Sequence, residues 1–537
     1  MHTDTQEKSQ LVPRFIRTCR RRRWRPKVAD STGAALTGGQ LLLRTLVLRR
    51  LLRRQVLGPD ERHVGLLLPP SVAAAVANMA LTVDRRVSVN LNYTLSSDVL
   101  NACIQQAAIR HILTSRRFME KMSFSVRARL VYLEDLRGAP TALDKLASAI
   151  QAYLVPAGCL ARMLGAHKTG AGELLTIVFT SGSTGEPKGV MLTHANITHN
   201  VEAAEQVIHI TSRDVLVGIL PFFHSFGYTI SFWTMMCIDA KGVYHFNPLD
   251  ARQVGKLCRE HGGTILLATA TFLRTYLRRC EPEDFQSLEV VVAGAEKLPQ
   301  DVSDAFERRF GVRPVEGYGT TELSPLVSVN IPPTRSTSGS RIELKEGTVG
   351  RPVPGVAAKV VSLETGEELG PNETGMLLVT GPNVMKGYLG REDLTREVMR
   401  DGWYVTGDIA RIDDDGFIEI TGRESRFSKI GGEMVPHVTI EEILAQLTGA
   451  TEDGSLRAAV TAVPDEKKGE RLVVVHTPIE QTPEELCKGL SEAGLPNLFI
   501  PSPDSFIQVE QLPILGSGKL DLKGIRQLAM ERFGPRH

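Results

Sequence analysis

The sequence predicts an α/β protein with a large N-terminal domain of several subdomains, one of them β-rich, and a small α+β C-terminal domain. Three observations carry this. The chain has 537 residues, more than one compact core holds, since domains usually run to ~100–200 residues. Short apolar, β-branched runs at 63–68, 130–133, 174–180, 215–220, 264–268 and 288–293 are separated by segments of helical length. That alternation is the pattern of a largely parallel sheet covered by helices. After about Gly347 the texture changes, and turn pairs such as Thr365-Gly366 and Asp415-Gly416 punctuate short strands. Beyond Gly422-Arg423 come a helix near 440–447, strands at 457–463 and 471–477, and a helix near 482–489. The expected divisions are a basic leader of uncertain order (1–27), a large domain (28–422) and a C-terminal domain (423–537).

Apolar content of 42% and charged content of 23% are those of a globular chain. Net charge is +2, which gives no global argument for nucleic-acid binding. The charge is unevenly placed. Residues 14–54 hold 13 Arg or Lys against one acid, Asp30, a local +12 that leaves −10 for the rest. The run Arg20-Arg21-Arg22-Arg23-Trp24-Arg25 reads as a solvated basic tail or as a patch for anionic lipid or an acidic partner. Over 40–57, Leu41, Leu42, Leu48, Leu51 and Leu52 alternate with Arg44, Arg49, Arg50, Arg53 and Arg54 in rough helical register. This predicts a core-packed amphipathic helix, with a membrane-surface helix as the alternative. Seven scattered cysteines without a C-x-x-C pair suit reduced thiols in the cytoplasm better than a disulfide framework or a zinc site. The N-terminus has Arg where a signal peptide needs an apolar core. The apolar runs at 64–68 and 72–83 fall short of the ~18–20 residues of a membrane span, so no transmembrane helix is expected.

The strongest local signal is Thr180-Ser181-Gly182-Ser183-Thr184-Gly185-Glu186-Pro187-Lys188-Gly189-Val190, directly after the strand at 174–179. Its glycines let the backbone turn tightly, and hydroxyls with one lysine line the same loop. A polyphosphate needs that set: many donors, one mobile cation and no bulk. A Walker A loop is excluded, because Lys188 follows Pro187 and precedes Gly189. Glu316-Gly317-Tyr318-Gly319-Thr320-Thr321-Glu322 combines an aromatic that can stack on a base, hydroxyls for a phosphate and a carboxylate for Mg²⁺. In Trp403-Tyr404-Val405-Thr406-Gly407-Asp408 a carboxylate at a strand edge can accept two ribose hydroxyls.

Residues 180–190 resemble the phosphate loop of the adenylate-forming superfamily, which includes acyl- and aryl-CoA synthetases, peptide-synthetase adenylation domains and luciferases. The superfamily's other motifs follow in order, so the resemblance covers roughly residues 30–525. It implies an adenylate-forming N-terminal domain with a mobile C-terminal lid. The loop residues Thr180, Ser181, Gly182, Ser183, Thr184, Gly185 and Lys188 would then hold the ATP phosphates. His224, within Pro221-Phe222-Phe223-His224-Ser225-Phe226-Gly227, would lie beside the substrate carboxylate, and the apolar stretch 228–236 would help line an acyl pocket. Gly294, Ala295 and Glu296 would lie along the nucleotide, with Tyr318, Gly319, Thr320 and Thr321. Glu322 and Thr184 would hold Mg²⁺. Asp408 would take the ribose, and Arg423 would approach the ribose and α-phosphate at the hinge. Lys519, in Leu515-Gly516-Ser517-Gly518-Lys519, would swing onto the reacting carboxylate.

One departure sharpens the resemblance. Where most members carry an acid or lysine after Gly-Arg, this chain has Arg426, in Ser425-Arg426-Phe427-Ser428-Lys429-Ile430-Gly431-Gly432-Glu433-Met434-Val435. That string, and Asn90-Leu91-Asn92-Tyr93-Thr94, look like the long-chain acyl–acyl carrier protein synthetase branch, the synthetase half of a bifunctional acyltransferase. The implied reaction is attack of a fatty carboxylate on the α-phosphate of MgATP, then transfer of the acyl group to the phosphopantetheine thiol of acyl carrier protein. CoA is the alternative acceptor. Arg423, Arg426 and Lys429 would form a basic lid edge that steers an acidic carrier protein, or Arg426 would simply pair with a neighbouring acid. A catalytically silent nucleotide-binding member of the same fold is the remaining alternative.

Overall fold

The computed structural model describes residues 9–122, 125–181, 187–336, 343–430, 433–449, 457–465, 468–514 and 520–534. Two large sheets hold the site. In the first, His63–Leu67, Val87–Asn90, His111–Thr114, Arg129–Tyr132 and Leu174–Ser181 run parallel. Pro187–Thr193 then returns antiparallel to Leu174–Ser181, so Thr180 pairs with Lys188 across the ladder. Gly387–Tyr388 adds the edge beside it. In the second sheet Pro26–Asp30, Lys241–Tyr244, Val215–Gly218, Ile265–Ala268, Val290–Ala293 and Val315–Gly319 run parallel. Leu326–Val329 and Arg351–Pro352 close it antiparallel. Of these, Val215–Gly218, Ile265–Ala268 and Val290–Ala293 fall on β-branched runs of the sequence, and every residue in them is buried, as in helix-covered parallel strands.

Helices fill the space between the sheets. Val72–Val83 is buried almost all round and starts at Ser71, whose side chain accepts from the Ala74 amide. Gly38–Leu51 begins with a capping box of Thr37 and Gln40 and continues as a wider π turn, Leu52–Val56. It buries Leu41, Leu42, Leu46, Leu51 and Leu52, the core-packed reading of its leucine pattern. Among the described residues no helix is long and apolar enough to cross a membrane.

The basic leader expected over 1–27 is corrected from residue 9 onward. Leu11–Arg21 is a helix whose Leu11, Phe15, Ile16 and Cys19 are fully buried in the main core. Its cations find distant acids: Arg14 pairs with Glu202 and Glu205 at 2.8 and 2.6 Å, and Arg22 with Asp239 at 2.5 Å. Lys27 is fully buried and donates to the Ile238 and Ala240 carbonyls.

Between residues 357 and 423 the strands are antiparallel: Ala357–Val361, Gly375–Thr380, Trp403–Ile412 and Ile418–Arg423 form the β-rich subdomain. The last unit is a sheet of Phe427–Ile430, Glu433–Pro436, Ala458–Asp465, Gly469–His476 and Phe506–Gln508, covered by His437–Thr448, Pro483–Glu492 and Leu522–Phe533. It meets the large domain across a cleft of about 750 Å³, spanned by a Lys297–Glu442 ion pair at 3.0 Å.

Candidate active site

The site residues sit where the strands of both sheets end and the β-rich subdomain folds back onto them. Asp408 follows a turn at Gly407 (φ +73°) and is buried. One of its carboxylate oxygens accepts from the Tyr318 hydroxyl and the other from Arg423 Nε at 2.6 Å. The Asp408–Arg423 pair follows from strand register, since the two residues face each other across the antiparallel ladder. Asp408 holds the Arg423 guanidinium above its ordinary range. Burial and the Asp408 charge push the Tyr318 hydroxyl well above the tyrosine range, so it stays a donor at neutral pH.

A second carboxylate lies close by. Glu322 Oε1 accepts from the Tyr388 hydroxyl at 2.8 Å, and the Glu322 carbonyl accepts from the Met385 amide at 2.8 Å. Lys188 Nζ lies 5.4 Å from the Tyr388 ring centroid, a cation–π contact at its face. Tyr404 is buried between the two centres, and burial followed by the Glu322 charge raises its hydroxyl.

The loops around these groups fit a phosphate ester. Gly319 allows a close crossing: a Cβ there would stand 1.9 Å from the Pro325 carbonyl oxygen. The next residue, Thr320, carries a buried hydroxyl without a protein partner, a donor available to a ligand. Ser225 Oγ reaches Thr321 Oγ1 at 3.3 Å, which brings the histidine loop against this strand end. His224 is exposed there, its ring against Phe223. Gly227 lets that loop fold tightly, because a Cβ would meet the Pro221 carbonyl oxygen at 2.2 Å. Behind it Phe226–Trp233 and Thr234–Cys237 are largely buried, with Tyr228, Phe232, Trp233, Met235 and Met236 in the core.

Gly294 follows the strand Val290–Ala293 and packs against Phe226 and Gly317. Ala295 is exposed at φ +66°, left-handed backbone uncommon for alanine. Glu296 accepts from the Thr271 amide and hydroxyl at 3.1 and 2.8 Å. Gly182, Ser183, Thr184, Gly185 and Lys519 lie outside the described residues, and Ser181 is described only as the end of its strand.

A family model described as AMP-binding enzyme matches residues 15–389. The chain belongs to the AMP-binding enzyme family. It is 33% identical over 304 residues to a protein of Bacillus subtilis named long-chain-fatty-acid–CoA ligase, covering 56% of this chain and 51% of that one. It is 31% identical over 367 residues to a Salmonella typhimurium protein of the same name, covering 67% and 62%. The chain thus spans about half to three fifths of these relatives' lengths. A solved structure titled ATP-bound MatB from Rhodopseudomonas palustris superimposes with a TM-score of 0.78 at 24% identity, covering 98% of this chain and all of the other. The fold is therefore the α/β adenylate-forming fold, with its multi-sheet large domain.

For an AMP-binding enzyme, the described residues bring together Thr180, Lys188, Tyr318, Glu322, Asp408 and Arg423 from separated motifs. The sequence reading did not single out Tyr388, which joins Lys188 to Glu322. Its signal is a strand pairing, Tyr388 against Val190, that no local motif marks. At the hinge Arg426 is buried and donates to Glu441, itself buried and accepting from the Val460 amide at 2.6 Å. The basic lid edge is corrected at Arg426, which points into the domain and is held by Glu441.

Proposed function

We propose that the chain is an AMP-forming acid–thiol ligase that activates a long-chain fatty carboxylate as acyl-AMP and passes the acyl group to the thiol of CoA. The observation that carries this reading is the pair of held carboxylates, Asp408 between Tyr318 and Arg423, and Glu322 under Tyr388 and Lys188.

Each group has a task. A carboxylate offers about four lone-pair directions, so Asp408 still has two for ribose hydroxyls after binding Tyr318 and Arg423. Its hydrogen bond fixes the Tyr318 ring, which then presents a face to the base. The unpartnered Thr320 hydroxyl donates to a phosphate oxygen, and Lys188 supplies positive charge beside it. Glu322 fits Mg²⁺ by its carboxylate chemistry, with Thr184 as its expected companion; the ion would neutralise phosphate charge. A carboxylate oxygen placed near His224 attacks the α-phosphorus, the bond to the leaving phosphate breaks, and pyrophosphate departs. The ammonium of Lys519 offsets the charge that develops. The thiol then loses its proton to solvent, its sulfur attacks the acyl carbon, the bond to the AMP oxygen breaks, and AMP leaves.

CoA is preferred to acyl carrier protein on two grounds. The Bacillus subtilis and Salmonella typhimurium relatives, at 33% and 31% identity, are named long-chain-fatty-acid–CoA ligases. The buried Arg426 also removes one of the three cations on which carrier-protein steering rested. ATP–pyrophosphate exchange over acids of increasing chain length, followed by thioester formation with CoA and with holo-carrier protein, tests the reading. Exchange driven by long-chain acids with thioester on CoA is expected. Faster transfer to carrier protein overturns the acceptor, and exchange with no fatty acid overturns the activity.

A further inference from the structure

Helix Ala142–Tyr153 is built inside out. Its face toward the protein carries Asp144, Ser148 and Ala152, all buried, against the helix Gly38–Leu51. Its outer face carries Leu143, Leu146, Ile150 and, at the C-cap, Leu154, which are 76, 59, 43 and 73% exposed. At about 100° per residue these four fall within a sector of roughly 80°, a continuous apolar stripe on the surface. Such stripes mark interaction sites rather than ordinary surface.

What covers it is indicated by the charge around it. The arginine-rich run divides in two. Arg20 and Arg22 turn inward, Arg20 donating to the Gln151 and Val155 carbonyls that end this helix. Arg21, Arg23, Trp24 and Arg25 turn outward. Trp24 is 72% exposed and stacks on Tyr153 at 5.4 Å between centroids, which sets it beside the stripe. Arg50 donates to the Gln151 side chain at 3.0 Å, and Arg54 pairs with Asp144 at 2.7 Å, so the acid on this helix is neutralised. Leucine and isoleucine flanked by an exposed tryptophan and several arginines match the apolar and anionic layers of a lipid surface.

We propose that the stripe Leu143-Leu146-Ile150-Leu154, with Trp24 and its flanking arginines, docks the protein on an anionic bilayer. The helix lies in the headgroup plane and crosses nothing. This does not depend on which acid or thiol the active site uses.

Sedimentation with lipid vesicles tests it, using phosphatidylcholine alone and phosphatidylcholine with phosphatidylglycerol. The full chain should bind the anionic vesicles, more weakly as salt rises. Leu146→Glu with Leu154→Glu should lower the partition coefficient at least about tenfold. Arg21→Ser, Arg23→Ser and Arg25→Ser should each cost on the order of fivefold. Thermal unfolding and pyrophosphate exchange should be unchanged in all of them, which separates docking from folding. Trp24 emission should shift to the blue on anionic vesicles, and this shift should vanish in Trp24→Phe. Equal partition of wild type and Leu146→Glu/Leu154→Glu, or absence of binding to either vesicle, overturns the proposal. So does a wild-type dimer in light scattering that the same double substitution converts to monomer, since the stripe would then join two copies.

Discussion

Asp408 concentrates the consequences that a single residue can have. It is buried, both its oxygens are engaged, and its remaining lone pairs are those that the proposed function gives to ribose. Asp408→Ala should therefore raise the KM for ATP by about ten- to a hundredfold, the value of hydrogen bonds to a charged group, and leave the KM for the fatty acid nearly unchanged. Pyrophosphate exchange at varied ATP and varied acid measures both. A wild-type KM for ATP would remove Asp408 from the nucleotide site. Lys519 carries a different expectation, resting on the resemblance of its loop. Lys519→Ala should abolish adenylation, a loss of about 10²–10³ or more, and spare thioester formation from pre-made acyl-AMP. If both half-reactions fall together, the lysine does not serve the first alone. Tyr318, Glu322, Asp408 and Arg423 could be singled out in sequence because each sits in a short motif of suggestive composition; that Tyr318 and Arg423 both bind Asp408 is seen only in the fold. Tyr388 was not legible, because what makes it matter is a Glu322 carboxylate 66 positions away, met only through strand pairing.

Elements were legible where their burial pattern is local. The β-branched runs at 215–220, 264–268 and 288–293 became parallel strands because helices cover both faces of them. The N-terminal helix was misread because its charge count is local but its partners are not. Leu11, Phe15 and Cys19 recur at helical spacing, while Arg14 and Arg22 reach acids about 190 and 217 positions away. The hinge has the same lesson. Arg426 looked like surface charge, yet it lies buried on Glu441. Arg426→Glu should destabilise the C-terminal domain by about 3–5 kcal/mol, the cost of breaking a buried pair, and slow transfer to CoA and to carrier protein alike. Arg426→Met with Glu441→Leu should recover most of that stability. Denaturant unfolding with both acceptors assayed decides it; a loss confined to carrier protein would restore the steering role.

The same domain has a pH signature. His437 is buried against Ser428, and burial with the Arg426 charge brings its pKa down to about 3 from 6.5. The folded chain keeps this ring neutral while the unfolded chain protonates it. Its contribution to stability is therefore whole above pH 6.5 and is lost as pH falls toward 3. Glu441, raised by burial, acts in the opposite sense. Between pH 6.5 and 5 this histidine alone contributes a slope of up to about 1.4 kcal/mol per pH unit. His437→Gln should flatten urea midpoints across that window, and an unchanged slope would contradict the burial.

At the scale of the whole molecule, two large sheets and a β-rich subdomain converge on one edge; the family match over 15–389 covers the two sheets with Thr180, Lys188, Tyr318 and Glu322, and ends before Asp408 and Arg423. The architecture of these layers was readable from alternation and turn spacing, because each depends on periods of a few residues. The outward-facing stripe on Ala142–Tyr153 was not, since a helix of that composition reads as core until its neighbours are known. In the proposed reaction a fatty carboxylate oxygen attacks the α-phosphorus of ATP at this edge. Incubation with ATP, CoA and long-chain acid carrying ¹⁸O in both carboxylate oxygens tests this most directly, with the nucleotide and phosphate products weighed by mass spectrometry. One ¹⁸O should appear in AMP and none in pyrophosphate. Label in inorganic phosphate, or AMP without label while thioester accumulates, would contradict it.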